Sequence, residues 1–150
     1  MNIRELSEVV IALKKAKTGE ELFKFDLNEL MQINEDNLNQ EYNEVSVLYS
    51  TIATLVAYAQ TNEMKAKFNL ECRLAQLDTE IRKRLRKSKE KVTEKLIENT
   101  LKIDKRYKEA YELWLEQRRQ YLILRQFESA LIVKKDILIS LAADKRALGG

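Results

Sequence analysis

The sequence predicts an all-α protein of 150 residues, built around a long helical hairpin. The chain has no proline, and its glycines stand at positions 19, 149 and 150, so no strong helix breaker interrupts residues 20–148. Two long stretches place their apolar residues mostly three or four positions apart, which is the repeat of an amphipathic helix. Charged residues make up 34% of the chain, which is typical of long helices that face solvent.

The N-terminal region, residues 1–40, is predicted to form short helices. Residues 1–44 contain five Lys or Arg and ten Asp or Glu, so 5 − 10 gives a net charge of −5. The pattern Thr18-x-x-Glu21 fits a capping box at the start of one helix. An earlier helix is indicated by the spacing of Ile3, Leu6, Val10 and Leu13. We expect this acidic region to contact protein partners.

The second region, residues 41–150, is predicted to contain the long helices. The first of them should run from about Glu41 to Lys87, after a loop at residues 34–39. A short helix should follow at Thr93–Leu101, with Thr93 as its N-cap. The apolar stripe of the first long helix consists of Leu48, Ile52, Leu55, Ala59, Ala66, Leu70, Leu74, Leu77, Ile81 and Leu85.

The second long helix should begin after Asp104, a suitable N-cap, and end near Ala147. Its apolar residues exceed a single stripe, because residues 121–124 and 131–133 are consecutive apolar runs. A helix that is apolar over a wide arc has neighbours on more than one side. We therefore expect self-association into a helical oligomer, a bundle or a closed ring, unless the N-terminal helices cover this surface. The expected interface consists of Trp114, Tyr121, Leu124, Leu131, Leu138 and Leu141.

Enzymatic activity is not expected from this sequence. The chain has no histidine, which is the commonest general base and metal ligand, and it has no Gly-rich phosphate loop. Its one cysteine, Cys72, lacks a histidine partner and cannot form an intrachain disulfide, which favours a reducing cytoplasmic location. We expect no catalytic set, no cofactor and no metal, although a site built from carboxylates alone stays open.

A membrane span is not expected either. The uncharged stretch Val45–Gln60 is shorter than the roughly 20 apolar residues that a membrane-spanning helix needs. It also contains several serine and threonine residues. A buried helix is the better interpretation.

The strongest functional signal is a basic strip in which seven of residues 81–91 are Lys or Arg and one is acidic. Two cations would complement the dipole of a helix end, and seven indicate an anionic partner. The sequence shows no groove-reading motif such as a helix-turn-helix or a zinc finger. A nucleic-acid backbone is the expected partner, and a duplex-specific reader is not expected. The strip comprises Arg82, Lys83, Arg84, Arg86, Lys87, Lys89 and Lys91, and Lys65, Lys67 and Arg73 extend positive charge back along the helix.

Aromatic residues of the second long helix give a weaker signal. Tyr107, Tyr111, Trp114 and Tyr121 follow spacings of four, three and seven, which places them on one helix face. Bases of single-stranded DNA stack on such side chains. A core or interface role is the commoner case and is expected here. Tyr107 and Phe68 are the better candidates for exposure near the basic strip.

Several short motifs resemble the UvsY family of phage recombination mediators. The basic element Arg82-Lys83-Arg84-Leu85 is one of them, although the residues after it are more basic than the family pattern. The long helix is also longer than in the family. The remaining motifs are Leu38-x-x-Glu41, Leu48-Tyr49-Ser50, Met64-Lys65-Ala66-Lys67 through Glu71, Ala130-Leu131 after Trp114, the terminal Arg146, and Arg4-Glu5-Leu6-Ser7-Glu8.

This resemblance implies a function without catalysis. Members of the family bind single-stranded DNA as closed oligomers, contact the phage single-strand-binding protein and load the phage recombinase onto the strand. The alternative is a structural coiled-coil adaptor or scaffold without a nucleic-acid role. A scaffold would interleave Lys and Glu evenly, as residues 91–116 do, and would need no single basic strip.

Overall fold

The computed structural model describes residues 8–15 and 19–149, with side-chain environments from Asp26 onward. Helix dominates these residues, as the sequence predicts. The elements in order are strands β1 at Glu8–Lys15 and β2 at Gly19–Asp26, helix α1 at Leu27–Met31, a 3₁₀ turn at Glu35–Asn37, and helices α2 at Leu38–Lys87, α3 at Glu94–Ile103 and α4 at Lys105–Gly149.

The short helices predicted before residue 27 are wrong where the chain is described, because β1 and β2 form an antiparallel hairpin there. Its register pairs Val9 with Phe25 and Ile11 with Phe23. β-Branched and aromatic residues favour extended backbone. The run Val9, Val10 and Ile11 and the two phenylalanines therefore outweigh the helical spacing. Outside the described residues lie Ile3, Leu6 and Thr18.

Side-chain caps place the later helices near their predicted starts. Thr93 Oγ1 accepts a hydrogen bond from the N–H of Leu96 at 3.2 Å, at the start of α3. Asp104 Oδ1 accepts a hydrogen bond from the N–H of Arg106 at 2.8 Å, at the start of α4. Thr93 and Asp104 are the caps that the sequence predicts, so the starts of both helices are confirmed.

The described residues divide into two compact units. Unit 1 holds the residues up to Ala59 together with those from Gln120 onward, and unit 2 is Gln60–Arg119. Both α2 and α4 run through both units. In unit 1 the first part of α2 shares a core with the second part of α4.

That core lies between α2 and α4 in unit 1. It groups residues of both long helices, and the pairing of Glu41, early in α2, with Lys134, late in α4, shows that the helices are antiparallel here. The helical hairpin is therefore confirmed in this unit. Leu30 of α1 packs against it while remaining partly exposed. The core residues are Ile52, Leu55 and Ala59 of α2 and Leu124, Phe127 and Leu131 of α4.

An ion pair is buried in unit 1. Lys134 Nζ lies 3.1 Å from Glu41 Oε2, and the two side chains are 8% and 15% exposed. The other carboxylate oxygen accepts a hydrogen bond from the N–H of Asn34 at 3.1 Å. The bond from Asn34, reinforced by Lys134, lowers the pKa of Glu41 although burial acts to raise it. Glu41 thus connects the turn before α2 to α4.

Unit 2 has a smaller core where α3 packs on the end of α2. Ile81, Leu85 and Ile97 are buried together there. At the start of α4, Arg106 Nη1 donates to Glu80 Oε2 at 3.0 Å, which holds this end of α4 beside the last turns of α2. These contacts fix the backbone that carries the basic strip.

Candidate nucleic-acid interface

The basic strip begins on the last two turns of α2 and continues into the connection to α3. Lys89 and Lys91 lie in this connection, and the other five cations are helical. Helix α2 ends where Ser88 Oγ donates to the carbonyl of Leu85 at 2.8 Å, a local bond that competes with further helix formation. Ile81 and Leu85 face the core of unit 2, so the cations between and around them are left to the outer surface.

Arg82 differs from the rest of the strip because two carboxylates hold its guanidinium. Nη1 and Nη2 donate to the two oxygens of Glu94, each at 2.9 Å, and Nε donates to Asp78 Oδ2 at 2.8 Å. The bonds to Glu94 and Asp78 raise the pKa of Arg82, and Arg82 in turn lowers the pKa of Glu94. Arg82, which the sequence predicts to contact DNA, links α2 to α3.

The other six cations of the strip, in residues 83–91, are exposed, and none of them forms an ion pair with any described residue. The outer face of α2 carries a shallow open depression of about 520 Å³. It is lined by Thr79, Arg82, Lys83, Arg86 and Lys87. Three of its four cations, Lys83, Arg86 and Lys87, have no ion-pair partner among the described residues, so the depression is suited to a phosphate group.

The excess positive charge of unit 2 comes from this strip. Gln60–Arg119 contains 17 Lys or Arg and 11 Asp or Glu, so 17 − 11 gives +6. Residues 82–91 alone contribute 7 − 1, which is also +6. The rest of the chain has 27 − 17 = 10 basic and 24 − 11 = 13 acidic residues, a net charge of −3. Unit 2 therefore carries the positive charge of the chain, and the rest of the chain is net negative.

The additional candidates Lys65, Lys67 and Arg73 are exposed on α2, further from the end of the helix. Arg73 Nη1 is 3.5 Å from Gln76 Oε1. Lys65 precedes Lys83 by 18 residues, which is about 27 Å at 1.5 Å per residue. The structure therefore does not bring these three side chains into the strip, and they form a separate extension along α2.

Most of the predicted oligomer interface lies inside unit 1. Leu124, Leu131 and Leu138 are buried within the single chain, Leu124 and Leu131 against α2. The wide apolar arc of α4 therefore has one neighbour already, in α2. Tyr121 and Leu141 are half-buried. A different apolar set of α4 is exposed in unit 1, namely Leu122, Ile132, Val133, Ile137 and Ile139.

Trp114, the remaining predicted interface residue, is half-buried in unit 2. Its Nε1 donates to Glu63 Oε1 at 2.8 Å, and Glu63 is only 8% exposed. Arg118 lies 3.7 Å from the same carboxylate oxygen and 5.7 Å from the centre of the indole ring. This cluster was not predicted from the sequence. The sequence feature that could have indicated it is Glu63, an acidic residue at a position of the apolar stripe between Ala59 and Ala66.

Tyr107, Tyr111 and Trp114 form an aromatic ladder along α4. The ring centres of Tyr107 and Tyr111 are 6.0 Å apart with an interplanar angle of 26°. Those of Tyr111 and Trp114 are 5.7 Å apart at 52°. Tyr111 is 39% exposed, and Phe68 of α2 is more exposed still. The ladder is thus partly open to solvent, where the sequence favoured a core or interface role.

No protein-family model, no curated protein and no solved structure matches this chain. Within the described part of the chain, no group of three or more Cys, Asp or Glu side chains is arranged to hold a metal ion. None of the helices described here has the length and apolarity required to cross a membrane.

Proposed function

We propose that this chain binds single-stranded DNA through its basic strip and acts as a recombination mediator, which helps to load a phage recombinase in place of single-strand-binding protein. The DNA-binding part rests on one observation, the six exposed and unpaired cations of residues 83–91. The mediator part rests on the resemblance of Arg82-Lys83-Arg84-Leu85 and the other motifs to the UvsY family.

Ion pairs elsewhere in unit 2 support a ligand role for the strip. Arg106 is bonded to both Glu80 and Asp104, and Arg119 is bonded to Glu116. These two arginines therefore form ion pairs with carboxylates of the same unit. The strip leaves its cations without such partners and close to one another, which costs free energy through repulsion. A phosphate backbone offsets this repulsion and releases its own counterions on binding.

The form of the strip favours a single strand over a duplex. Ile81 and Leu85 are packed against α3, so the end of α2 is not a free helix that could enter a groove. The cations continue into the non-helical connection at Lys89 and Lys91. Contacts of this kind bind phosphate groups and do not distinguish one base from another. Indifference to sequence is what a protein that loads a recombinase on any strand requires.

Assembly into an oligomer is part of the same proposal. Several copies would present the strip repeatedly along one strand, and linked binding sites of this kind raise avidity by roughly 10²–10⁴. The exposed apolar residues of α4 in unit 1, among them Leu122, Val133 and Ile137, are the surface we propose for it. The acidic residues 1–44 would then serve contacts with the recombinase or the single-strand-binding protein.

The salt dependence of binding tests the role of the strip. Replacing Lys83 and Lys87 with alanine should flatten the log–log salt slope for a single strand by about 1.4, because each lost phosphate contact contributes about 0.7. Fluorescence anisotropy of a labelled oligonucleotide over a salt series measures the slope. The double variant Lys108→Ala, Lys135→Ala removes the same charge outside the strip and should keep the parent slope. Equal slopes for both variants would exclude phosphate binding by the strip. Tighter binding of duplex than of single strand by the parent would contradict the proposed preference for a single strand.

A further inference from the structure

We infer that the aromatic ladder of Tyr107, Tyr111 and Trp114 stacks bases of the bound strand and thereby selects single-stranded over double-stranded nucleic acid. This inference rests on the proposed DNA binding. It adds a base-contacting surface to the phosphate-contacting strip of the same unit. In a duplex the faces of the bases are covered by their neighbours, so only a single strand can offer them to protein side chains.

The geometry of the ladder suits stacking. The three residues are spaced four and three positions apart on α4, so their rings are neighbours on one helix face. Successive ring centres lie 6.0 and 5.7 Å apart. Tyr111, the central member, is 39% exposed, and its two neighbours are half-buried. The ladder is therefore a supported aromatic surface rather than three independent side chains.

One end of the ladder is fixed in place before any ligand arrives. The indole N–H of Trp114 is bonded to the nearly buried Glu63, and the guanidinium of Arg118 lies 5.7 Å from its ring centre. A ring held in this way loses little conformational freedom on binding. Arg118 also places a cation beside the ladder, where a phosphate of a stacked nucleotide would benefit from it.

The ladder starts at the level of the strip along the hairpin of unit 2. Arg106, the residue before Tyr107, is bonded to Glu80 at 3.0 Å. Glu80 lies three residues before Lys83, so the two are neighbours on the surface of α2. One strand can therefore contact cations of the strip and the first rings of the ladder together. The charge of unit 2, +6 from 17 − 11, favours an anionic occupant over a basic or apolar protein surface.

Binding to an abasic strand separates base stacking from phosphate contacts. The parent protein should bind an oligothymidylate on the order of tenfold more tightly than an abasic deoxyribose-phosphate strand of equal length. Tyr111→Ala should remove most of this difference by weakening only the oligothymidylate complex, with the salt slope unchanged. Tyr111→Phe should restore it. Tyr42→Ala, which removes a 40% exposed tyrosine of α2 in unit 1, is the matched control and should bind like the parent.

The outcomes distinguish this inference from the proposed function. If the parent binds both strands equally, with a steep salt slope, the ladder does not stack bases while the strip still binds phosphates. The same conclusion follows if Tyr111→Ala weakens both strands to the same extent. If the parent binds neither strand, both the ladder and the strip lose their proposed roles.

Discussion

Leu131→Ala is expected to lower the free energy of unfolding by about 2–5 kcal/mol. Leu131 is 0% exposed, and it belongs to the cluster that joins α4 to Ile52 and Leu55 of α2. Truncation removes buried apolar atoms and leaves a cavity that two rigid helices fill poorly. Urea denaturation followed by circular dichroism measures the loss. A variant as stable as the parent would contradict the α2–α4 core.

Val133, two positions further along α4, provides the matched control because it is 52% exposed. Val133→Ala should cost much less stability than Leu131→Ala, because within the single chain Val133 is already half in solvent. Val133→Glu should also fold. If this face of α4 forms the contact between copies of the chain, the variant should have a lower molar mass by light scattering than the parent. The parent should then scatter as several times 17.6 kDa. A monomeric parent would refute the proposed assembly.

Lys134→Met is expected to destabilise unit 1 by about 3 kcal/mol, because breaking a buried ion pair leaves its partner uncompensated. That partner is the carboxylate of Glu41, which keeps its bond to Asn34 and loses the ammonium 3.1 Å away. Thermal or urea unfolding measures the effect. Lys135→Met, at the exposed neighbouring position, should leave stability nearly unchanged. Equal stability of the two variants would contradict a structural role for the pair.

The same carboxylate predicts a dependence of stability on pH. The hydrogen bond from Asn34 and the charge of Lys134 lower the pKa of Glu41 in the folded chain. Glu41 therefore contributes stability above the ordinary glutamate pKa of about 4.3, and this contribution is lost as the pH falls through the lower folded value. Glu41→Gln should be less stable at neutral pH and should lack this part of the acid dependence.

The helices after residue 27 could be predicted because their signals are local. Thr93 and Asp104 cap the helices that follow them, and the apolar repeat depends only on spacing. The hairpin of β1 and β2 could not be read from the helical repeat. Its backbone ladder pairs residues such as Val9 and Phe25, which lie 16 positions apart, whereas the helical repeat is read over three or four positions.

The candidate site shows the same limit. Periodicity predicted that Leu124 and Leu131 are buried, and it could not say whether α2 or a second copy covers them. Seven cations were visible in the sequence, and six of them are exposed and unpaired. Arg82 is the seventh, and it is paired with Glu94, which lies twelve positions later and beyond the end of α2. The sequence alone did not predict this ion pair. The bond between Glu63 and Trp114 spans 51 positions.

A lysine-acetylation footprint read by mass spectrometry tests most directly whether the basic strip binds single-stranded DNA. Addition of an unlabelled oligonucleotide should protect the four strip lysines while Lys135, exposed in unit 1, keeps its reactivity. The lysines expected to be protected are Lys83, Lys87, Lys89 and Lys91. Unchanged reactivity of these four in the presence of saturating oligonucleotide, or protection of Lys135 to the same degree, would contradict DNA binding by the strip.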